Sequence, residues 1–276
     1  KMKLLRLMPF VFGGYLMFVI GCGGNSGSPA GGTASSKSSA PPAAAEKADA
    51  ASSAADSGEP AAPVVVKEGW GNLKGKFVVE GTLPAASPLL VNKDQEVCGQ
   101  HNLVNESVVV NAANKGIKNV VVSLYLGRGD KAPTPHESYA DAGTAPVPLD
   151  NKDCRFEPHV QVLQVGQPLA IKNSDPIGHN TKIDSVDNPA FNQTLPSGAE
   201  IEHSFASLER RPAAVACSIH PWMSGWLVVQ DTPYAVVSNE NGEFEIPNLP
   251  SGTWTFQVWH EKAQISKATV DGKSKT

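Results

Sequence analysis

This chain of 276 residues is poor in several features that would point to common protein classes. Aromatic residues make up only 7% of it, and no segment with helical periodicity is longer than about ten residues. The 23 lysine and arginine residues are outnumbered by 27 aspartate and glutamate residues, and they are not clustered as phosphate binding requires. Neither a framework of long helices nor a nucleic-acid partner is therefore expected.

Motifs for several catalytic and redox sites are also missing. The sequence contains no Cys-x-x-Cys-His motif for haem attachment and no His-x-His pair of the type that multicopper oxidases need. No pair of carboxylates at a readable spacing suggests a hydrolase or a lyase. We therefore expect that the protein is not an enzyme.

Residues 1–21 have the composition of an export signal. A basic start precedes an apolar run from Leu7 to Ile20, which is shorter than the roughly 20 apolar residues of a membrane-spanning helix. Residues 19–22 resemble a bacterial lipobox, in which Cys22 would be lipidated, and an ordinary secretory signal is the alternative. We expect an exported protein that is lipid-anchored to the bacterial membrane and faces the periplasm or the cell surface.

Glycine, serine, alanine and proline dominate residues 23–63, with scattered charged residues among them. Such a segment has too few large apolar groups to offset the entropy that is lost on ordering. The sequence therefore predicts a disordered tether over residues 22–67.

The remaining residues have the pattern of β-strands. Runs rich in valine and isoleucine alternate with clusters of Gly, Pro, Asn and Asp that are typical of turns. Many short strands with regular turns predict an all-β sandwich. The predicted strands are Lys76–Glu80, Ser107–Asn111, Asn119–Leu126, His159–Val165, Leu169–Asn173, Glu200–Phe205, Ala213–Cys217, Trp226–Gln230, Tyr234–Ser238, Glu243–Ile246, Thr253–Trp259 and Ile265–Val270.

The most informative residues are Cys217, His220 and Met223, which follow one another at steps of three. They lie on a predicted loop that can turn a thiolate, an imidazole and a thioether towards one ion. Soft sulfur ligands with imidazole select copper, and a plane of two histidines and one cysteine with a weak axial methionine is an electron-transfer geometry. His179, which follows another predicted strand, is the candidate for the second histidine.

The use of methionine supports a single copper ion at these residues. Of the four methionines, Met223 is the one that lies outside the predicted export signal, and zinc would gain little from it. A dinuclear copper centre would want a second cysteine in the loop. The alternatives are that Cys217 is half of a disulfide and that His220 is a surface residue.

Residues 217–223 resemble the copper loop of the small blue copper proteins, the cupredoxins. They are most similar to amicyanin and pseudoazurin, because His-Pro is followed by Met three residues after His. His179 and Asn180 match the family's first histidine and the Asn that follows it. The resemblance covers about Phe156–Asp231 and implies a Greek-key β-sandwich and one-electron transfer. It also implies that Asn180 clamps the copper loop by hydrogen bonding near the cysteine sulfur.

Other residues are similar to a group of exported bacterial proteins described as methylamine-utilisation-like or cupredoxin-like. Its pattern includes Cys154, residues 158–160 and residues 259–261. Within it, His159 and His260 are expected to be buried, hydrogen-bonded imidazoles, and a second metal site is the alternative.

Residues 234–261 resemble the last half of a carboxypeptidase-regulatory-like, or transthyretin-like, β-sandwich, and residues 71–126 resemble its first half. The resemblance implies a second, smaller sandwich that is split into 68–153 and 233–276, with a copper domain at 154–232 inserted between its halves. One enlarged sandwich is the alternative.

The number of cysteines raises the question of pairing. Copper would keep Cys217 as a thiolate and lipid would occupy Cys22, so Cys98 and Cys154 remain in an oxidising compartment. We predict that these two form a disulfide, and two free buried thiols are the alternative.

Together these patterns predict a protein with one copper ion that carries single electrons at the cell envelope. Its partners would be an unidentified redox protein of the envelope and the membrane, through the lipid anchor. The alternative is a lipoprotein without redox activity, which would bind or deliver copper, or bind a polysaccharide or a protein.

Overall fold

The computed structural model describes residues 69–79, 81–83, 85–262 and 264–269. The predicted export signal, the lipidation site Cys22 and the predicted tether lie outside these residues. Within the described part, no helix is both long and apolar enough to cross a membrane.

The described residues form an almost entirely β structure, so the all-β prediction is confirmed. One short helix, α1, and two 3-10 turns at Gly99–His101 and Glu137–Tyr139 are the helical elements of this part of the chain. In chain order, the helix and strands are β1 (Trp70–Lys76), α1 (Gln95–Cys98), β2 (Val121–Leu124), β3 (Val147–Lys152), β4 (Arg155–Glu157), β5 (Val160–Gln164), β6 (Leu169–Asn173), β7 (His179–Asp184), β8 (Phe191–Leu195), β9 (Glu200–His203), β10 (Ala213–Ala216), β11 (Ser224–Gln230), β12 (Ala235–Val237), β13 (Glu243–Pro250), β14 (Thr255–Trp259) and β15 (Gln264–Thr269).

Two sheets form the larger sandwich. One has the strand order β5-β11-β10-β7-β8 and the other the order β4-β3-β6-β9. Alternate side chains of both sheets point into a common core, as expected for strands that are buried on one face. The fully buried members of this core include Leu149, Phe156, Leu163, Leu169, Ile171, Ile183, Leu195, Val215, Leu227 and Val229.

The smaller sandwich combines the sheet β12-β2-β14-β15 with the two-stranded sheet β1-β13. Antiparallel pairing of β2 with both β12 and β14 brings together strands from before and after the larger sandwich. The core of this sandwich contains Phe77, Val120, Val122, Leu124, Tyr234, Phe244, Ile246, Phe256 and Val258.

The predicted division of the chain at residues 153/154 and 232/233 stays a prediction. Strand β3 falls before the first of these boundaries but pairs with strands that follow it. Although β3 precedes residue 154, it pairs in parallel with β6 and antiparallel with β4. Leu149 of β3 is buried in the core of the larger sandwich. The larger sandwich therefore includes residues before 154.

An apolar cluster and a ring contact join the two sandwiches. Val121 of β2 packs with Val160 and Val228 of the larger sandwich. The rings of Trp226 and Trp259 meet edge to face, with centroids 5.3 Å apart. Such an aromatic pair contributes about 1 kcal/mol beyond its buried area.

A hydrogen-bonded pair, His159 and Glu261, lies beside these apolar contacts. His159 is buried, its Nδ1 lies 3.1 Å from the carbonyl oxygen of Ser224, and its Nε2 lies 2.7 Å from Oε2 of Glu261. Burial by itself would raise the pKa of Glu261, but the hydrogen bond and charge of His159, together with Trp226 and Lys262, outweigh it, so the pKa is lower than usual. His159 is thus a buried, hydrogen-bonded imidazole that links the two sandwiches.

We predict that Glu261→Gln lowers the free energy of unfolding by about 1–3 kcal/mol at pH 7, because it removes a charge-assisted hydrogen bond. A carboxyl group whose pKa is lowered by folding stabilises the folded state above its unfolded pKa of about 4.3, and this stabilisation is lost as the pH falls through the folded pKa. The difference between wild type and variant should therefore shrink in urea denaturation at pH 3. Glu240→Gln, at an exposed turn, is the control. An equal difference at both pH values would contradict the prediction.

Candidate metal centre

The pairing of β7, β10 and β11 brings the predicted ligands to one end of the larger sandwich. Residues 217–223 form the loop that closes the antiparallel pair β10 and β11. On its other side β10 pairs antiparallel with β7, with Ala216 opposite Lys182. Because antiparallel neighbours run in opposite directions, the loop after β10 lies beside the first residue of β7, which is His179.

Three predicted ligand side chains converge at this end. One ligand atom each from His179, Cys217 and His220 lies within 4.8 Å of the others. The Nδ1 atoms of the two imidazoles are 2.9 Å apart, and Nδ1 of His220 lies 3.9 Å from the sulfur of Cys217. Both histidines are 0% exposed and Cys217 is 2% exposed. These residues can hold a metal ion that is shielded from water.

Met223 is also buried, at the last position of the loop before β11, and packs in the core of the larger sandwich. Its backbone N–H donates to the carbonyl oxygen of His220 (2.9 Å), and its own carbonyl accepts from the N–H of Cys217 (3.3 Å). These two hydrogen bonds close the loop on itself. The role of the Met223 thioether as a weak ligand stays a prediction.

Asn180 connects β7 to the loop. Its backbone N–H lies 3.5 Å from the Cys217 sulfur, and its Oδ1 accepts hydrogen bonds from the N–H groups of Ser218 (2.7 Å) and Ile219 (3.3 Å). The Asn180 amide is in turn held by Asn192 on the neighbouring strand β8, at 2.7 Å. These contacts fix the loop next to the sulfur.

Each imidazole turns its outer nitrogen, Nε2, towards a carboxylate. Nε2 of His179 lies 2.8 Å from Oδ2 of Asp175, and Nε2 of His220 lies 2.7 Å from Oδ2 of Asp94. An ionised carboxylate only accepts, so both Nε2 atoms carry the hydrogen and both Nδ1 atoms face the centre. Fixing the tautomer in this way is what prepares an imidazole to bind a metal.

Sequence reasoning missed both carboxylates. Asp175 lies four residues before His179, and this short spacing could have marked it as a hydrogen-bond partner of the imidazole. Asp94 is separated from His220 by 126 residues, and nothing in its local sequence connects the two.

Charge separation within the metal-free cluster follows from these contacts. Burial by itself would lower the pKa of His179, but hydrogen bonds with Asp175 and with the Cys217 sulfur raise it to about 9. Burial by itself would raise the pKa of Cys217, but hydrogen bonds from His179 and from the N–H groups of Asn180 and the loop lower this pKa to about 6. At neutral pH the cluster therefore contains a thiolate beside an imidazolium.

The predicted disulfide is confirmed. Cys98 and Cys154 are bonded to each other, both are fully buried, and their Cα atoms are 5.4 Å apart. Cys154 also lies close to Asp175 and His179, but its sulfur is bonded to Cys98 and offers no thiolate to a metal. Among the described residues, Cys217 is the free cysteine.

Comparisons with known proteins give structural similarity only. No protein-family model and no curated protein sequence matches this chain. A purple cupredoxin from Nitrosopumilus maritimus aligns at 25% identity over 31% of this chain and 99% of its own, with a TM-score of 0.26. Amicyanin from Paracoccus versutus aligns at 16% identity over 30% of this chain and 80% of its own, with a TM-score of 0.28. The Cu-containing nitrite reductase from Thermus scotoductus SA-01 aligns at 24% identity over 39% of this chain and 25% of its own, with a TM-score of 0.29.

Proposed function

We propose that this protein binds one copper ion at His179, Cys217 and His220, with Met223 as a weak fourth ligand, and carries single electrons. The observation that supports this most is the buried cluster of two inward-facing Nδ1 atoms and one thiolate. A thiolate and two imidazoles are the donors that favour copper in electron-transfer sites. A copper ion bound there would supply the one-electron chemistry.

The protein's own part in this function is to hold the donors still. Asp175 and Asp94 orient the imidazoles, and Asn180 fixes the loop beside the Cys217 sulfur. Ligands that are held in one arrangement reorganise little when the charge of the ion changes. Rigid positioning therefore suits electron transfer.

Burial of the cluster separates this proposal from two others. A substrate that reacts at the metal would need a path from solvent to an open coordination position, and the four proposed ligand side chains are at most 2% exposed. Delivery of copper to another protein would need ligands that leave the ion readily. We therefore propose a resident copper ion and no catalytic reaction.

We further propose that the protein is exported and anchored by lipid at Cys22, with its redox partner in the cell envelope. The composition of residues 1–21 and the lipobox-like residues 19–22 support this part of the proposal.

An absorption spectrum of the Cu(II)-loaded protein tests the proposed metal centre. We expect an intense blue thiolate-to-copper band, which Cys217→Ser should abolish because an alcohol cannot supply that transition. Met223→Leu should keep the band and raise the reduction potential, since a weak donor to Cu(II) is lost. The Zn(II)-loaded protein, which should be colourless, is the control. A wild type without the band would favour storage or delivery of copper.

The raised pKa of His179 predicts that binding copper releases about one proton near pH 7.5, because the ion displaces the hydrogen on an inward-facing nitrogen. Affinity should rise about tenfold per pH unit between the pKa of Cys217, about 6, and that of His179, about 9. Calorimetry in buffers of different ionisation enthalpy measures the release.

Asp175→Asn should reduce that proton release, because without the carboxylate the pKa of His179 falls. Asp184→Asn, at the exposed far end of β7, should leave it unchanged. Equal release from Asp175→Asn and wild type would show that the carboxylate does not set this pKa.

Cys22→Ser should move the protein from the membrane fraction to the soluble fraction, because the residue that carries the lipid is lost. Fractionation and mass spectrometry of the N-terminal peptide measure this. A wild-type protein that is soluble, with an N-terminus other than Cys22, would show that the anchor does not exist.

A further inference from the structure

The outer edge of His220 is covered by a part of the chain that precedes the larger sandwich. His220 is 0% exposed, and its Nε2 atom lies 2.7 Å from Asp94, 126 residues away. The Asp94 side chain itself is 40% exposed. The carboxylate therefore stands between the imidazole and solvent.

Residues 87–105 carry Asp94, and we call them the cover segment. Its two ends are joined by hydrogen bonds from the N–H of Leu89 to the carbonyl of Leu103 (2.9 Å) and from the N–H of Asn105 to the carbonyl of Ser87 (2.8 Å). The cover segment is thus a loop whose two ends are hydrogen-bonded to each other.

Apolar contacts seat the cover segment on the metal loop. Leu103 and Cys98 form a buried cluster with Cys154, and Trp222 packs against it. Trp222 also donates from its indole nitrogen to the carbonyl of Cys154 (3.2 Å), and its ring lies 5.1 Å from that of His220. The cover segment therefore packs against Trp222, the residue that lies beside the imidazole of His220.

The backbone holds Asp94 in one place. Asp94 adopts a left-handed conformation with φ 46° and ψ 44°, which Asp tolerates better than most residues. Its carbonyl accepts hydrogen bonds from the N–H groups of Val97 (3.0 Å) and Cys98 (2.8 Å). Because Cys98 is bonded to Cys154, the carboxylate is fixed one helical turn from a covalent anchor.

The same disulfide also borders the carboxylate of the other histidine. The N–H of Cys154 donates to Oδ2 of Asp175 (2.9 Å), the oxygen that faces His179. One covalent bond thus connects the supports of both imidazoles, through Asp94 on one side and Asp175 on the other.

We propose that Asp94 is a positioning residue for His220, and that the cover segment, fastened by the Cys98–Cys154 disulfide, closes this edge of the metal centre to small molecules. The closure of this edge does not depend on which metal is bound. The effect of Asp94 on a copper ion rests on the proposed function.

Two substitutions separate the hydrogen bond from the charge, and both suit a left-handed residue. Asp94→Gly removes the side chain and keeps the backbone, because glycine favours positive φ. Asp94→Asn keeps an oxygen that can accept from Nε2 of His220 and removes the charge. Glu96→Gln, an exposed acidic residue in α1, is the control for the loss of one charge.

Alkylation of Cys217 by iodoacetamide in the metal-free full-length protein measures closure of the edge. The modified Cys217 peptide is quantified by mass spectrometry, so that Cys22 does not interfere. We expect Asp94→Gly to react at least about tenfold faster than wild type, the factor that corresponds to losing one buried hydrogen bond. Asp94→Asn and Glu96→Gln should stay within about twofold. Equal rates in Asp94→Gly and Glu96→Gln would overturn the cover.

The reduction potential of the copper-loaded protein reports the charge. Both Asp94→Gly and Asp94→Asn should raise it, because a negative charge next to a ligand favours the oxidised ion. Glu96→Gln should change it less. Unchanged potentials in both Asp94 variants would overturn this effect of the charge. The positioning role depends on the hydrogen bond that Asp94→Asn keeps and Asp94→Gly removes, so equal alkylation rates in these two variants would overturn it.

The double variant Cys98→Ser/Cys154→Ser tests the fastening, and it should also expose Cys217 to faster alkylation. A wild-type rate in this folded double variant would show that the disulfide does not hold the cover. A wild type without the blue band would overturn only the proposed function, because the alkylation rates are measured without metal.

Discussion

The register between β7 and β10 is the constraint on which the metal centre depends. It sets the first residue of β7 beside the loop that leaves β10, so that His179 meets Cys217 and His220. A shift of one residue would turn every side chain of β7 to the opposite face. The register is kept by Ile183 and Val215, which are buried in the larger core, and by the Asn180 contacts to the loop. The apolar core and the polar clamp therefore specify the same alignment.

Burial of two imidazoles and a thiolate requires partners, because isolated buried charges are costly. Asp175 and Asp94 supply them. The Asp175 carboxylate accepts from the N–H groups of Asp153 and Cys154, and the Asp94 backbone carbonyl accepts from the N–H groups of Val97 and Cys98. The Cys98–Cys154 disulfide lies between the two carboxylates. The contacts that stabilise the buried cluster thus come partly from outside the larger sandwich, and residues 94 and 98 belong to the surroundings of the candidate metal centre.

The sequence predicted strands where apolar residues alternate and failed where polar residues are buried. It located β6 at Leu169–Asn173, and β5, β10 and β11 within a few residues. It missed β7, in which the polar residues His179, Asn180 and Thr181 are all buried, because the residues that build the site replace the hydrophobic pattern. Ser107–Asn111 was predicted as a strand but forms only an isolated bridge at Val110, since an apolar run alone does not supply a pairing partner.

The amino-acid sequence by itself predicted the candidate ligands, three of which the structure brings together, and the cysteine pairing that the structure contains. Spacing within residues 217–223 is local, and the number of cysteines leaves few pairings. Only the tertiary structure decided which groups hold the ligands. Asp94 reaches His220 across 126 residues, and such a contact depends on how the cover segment packs against the metal loop. No local sequence pattern marks Asp94 as the partner of His220. The contact arises because packing and the Cys98–Cys154 disulfide place the cover segment there, and both depend on the folded chain.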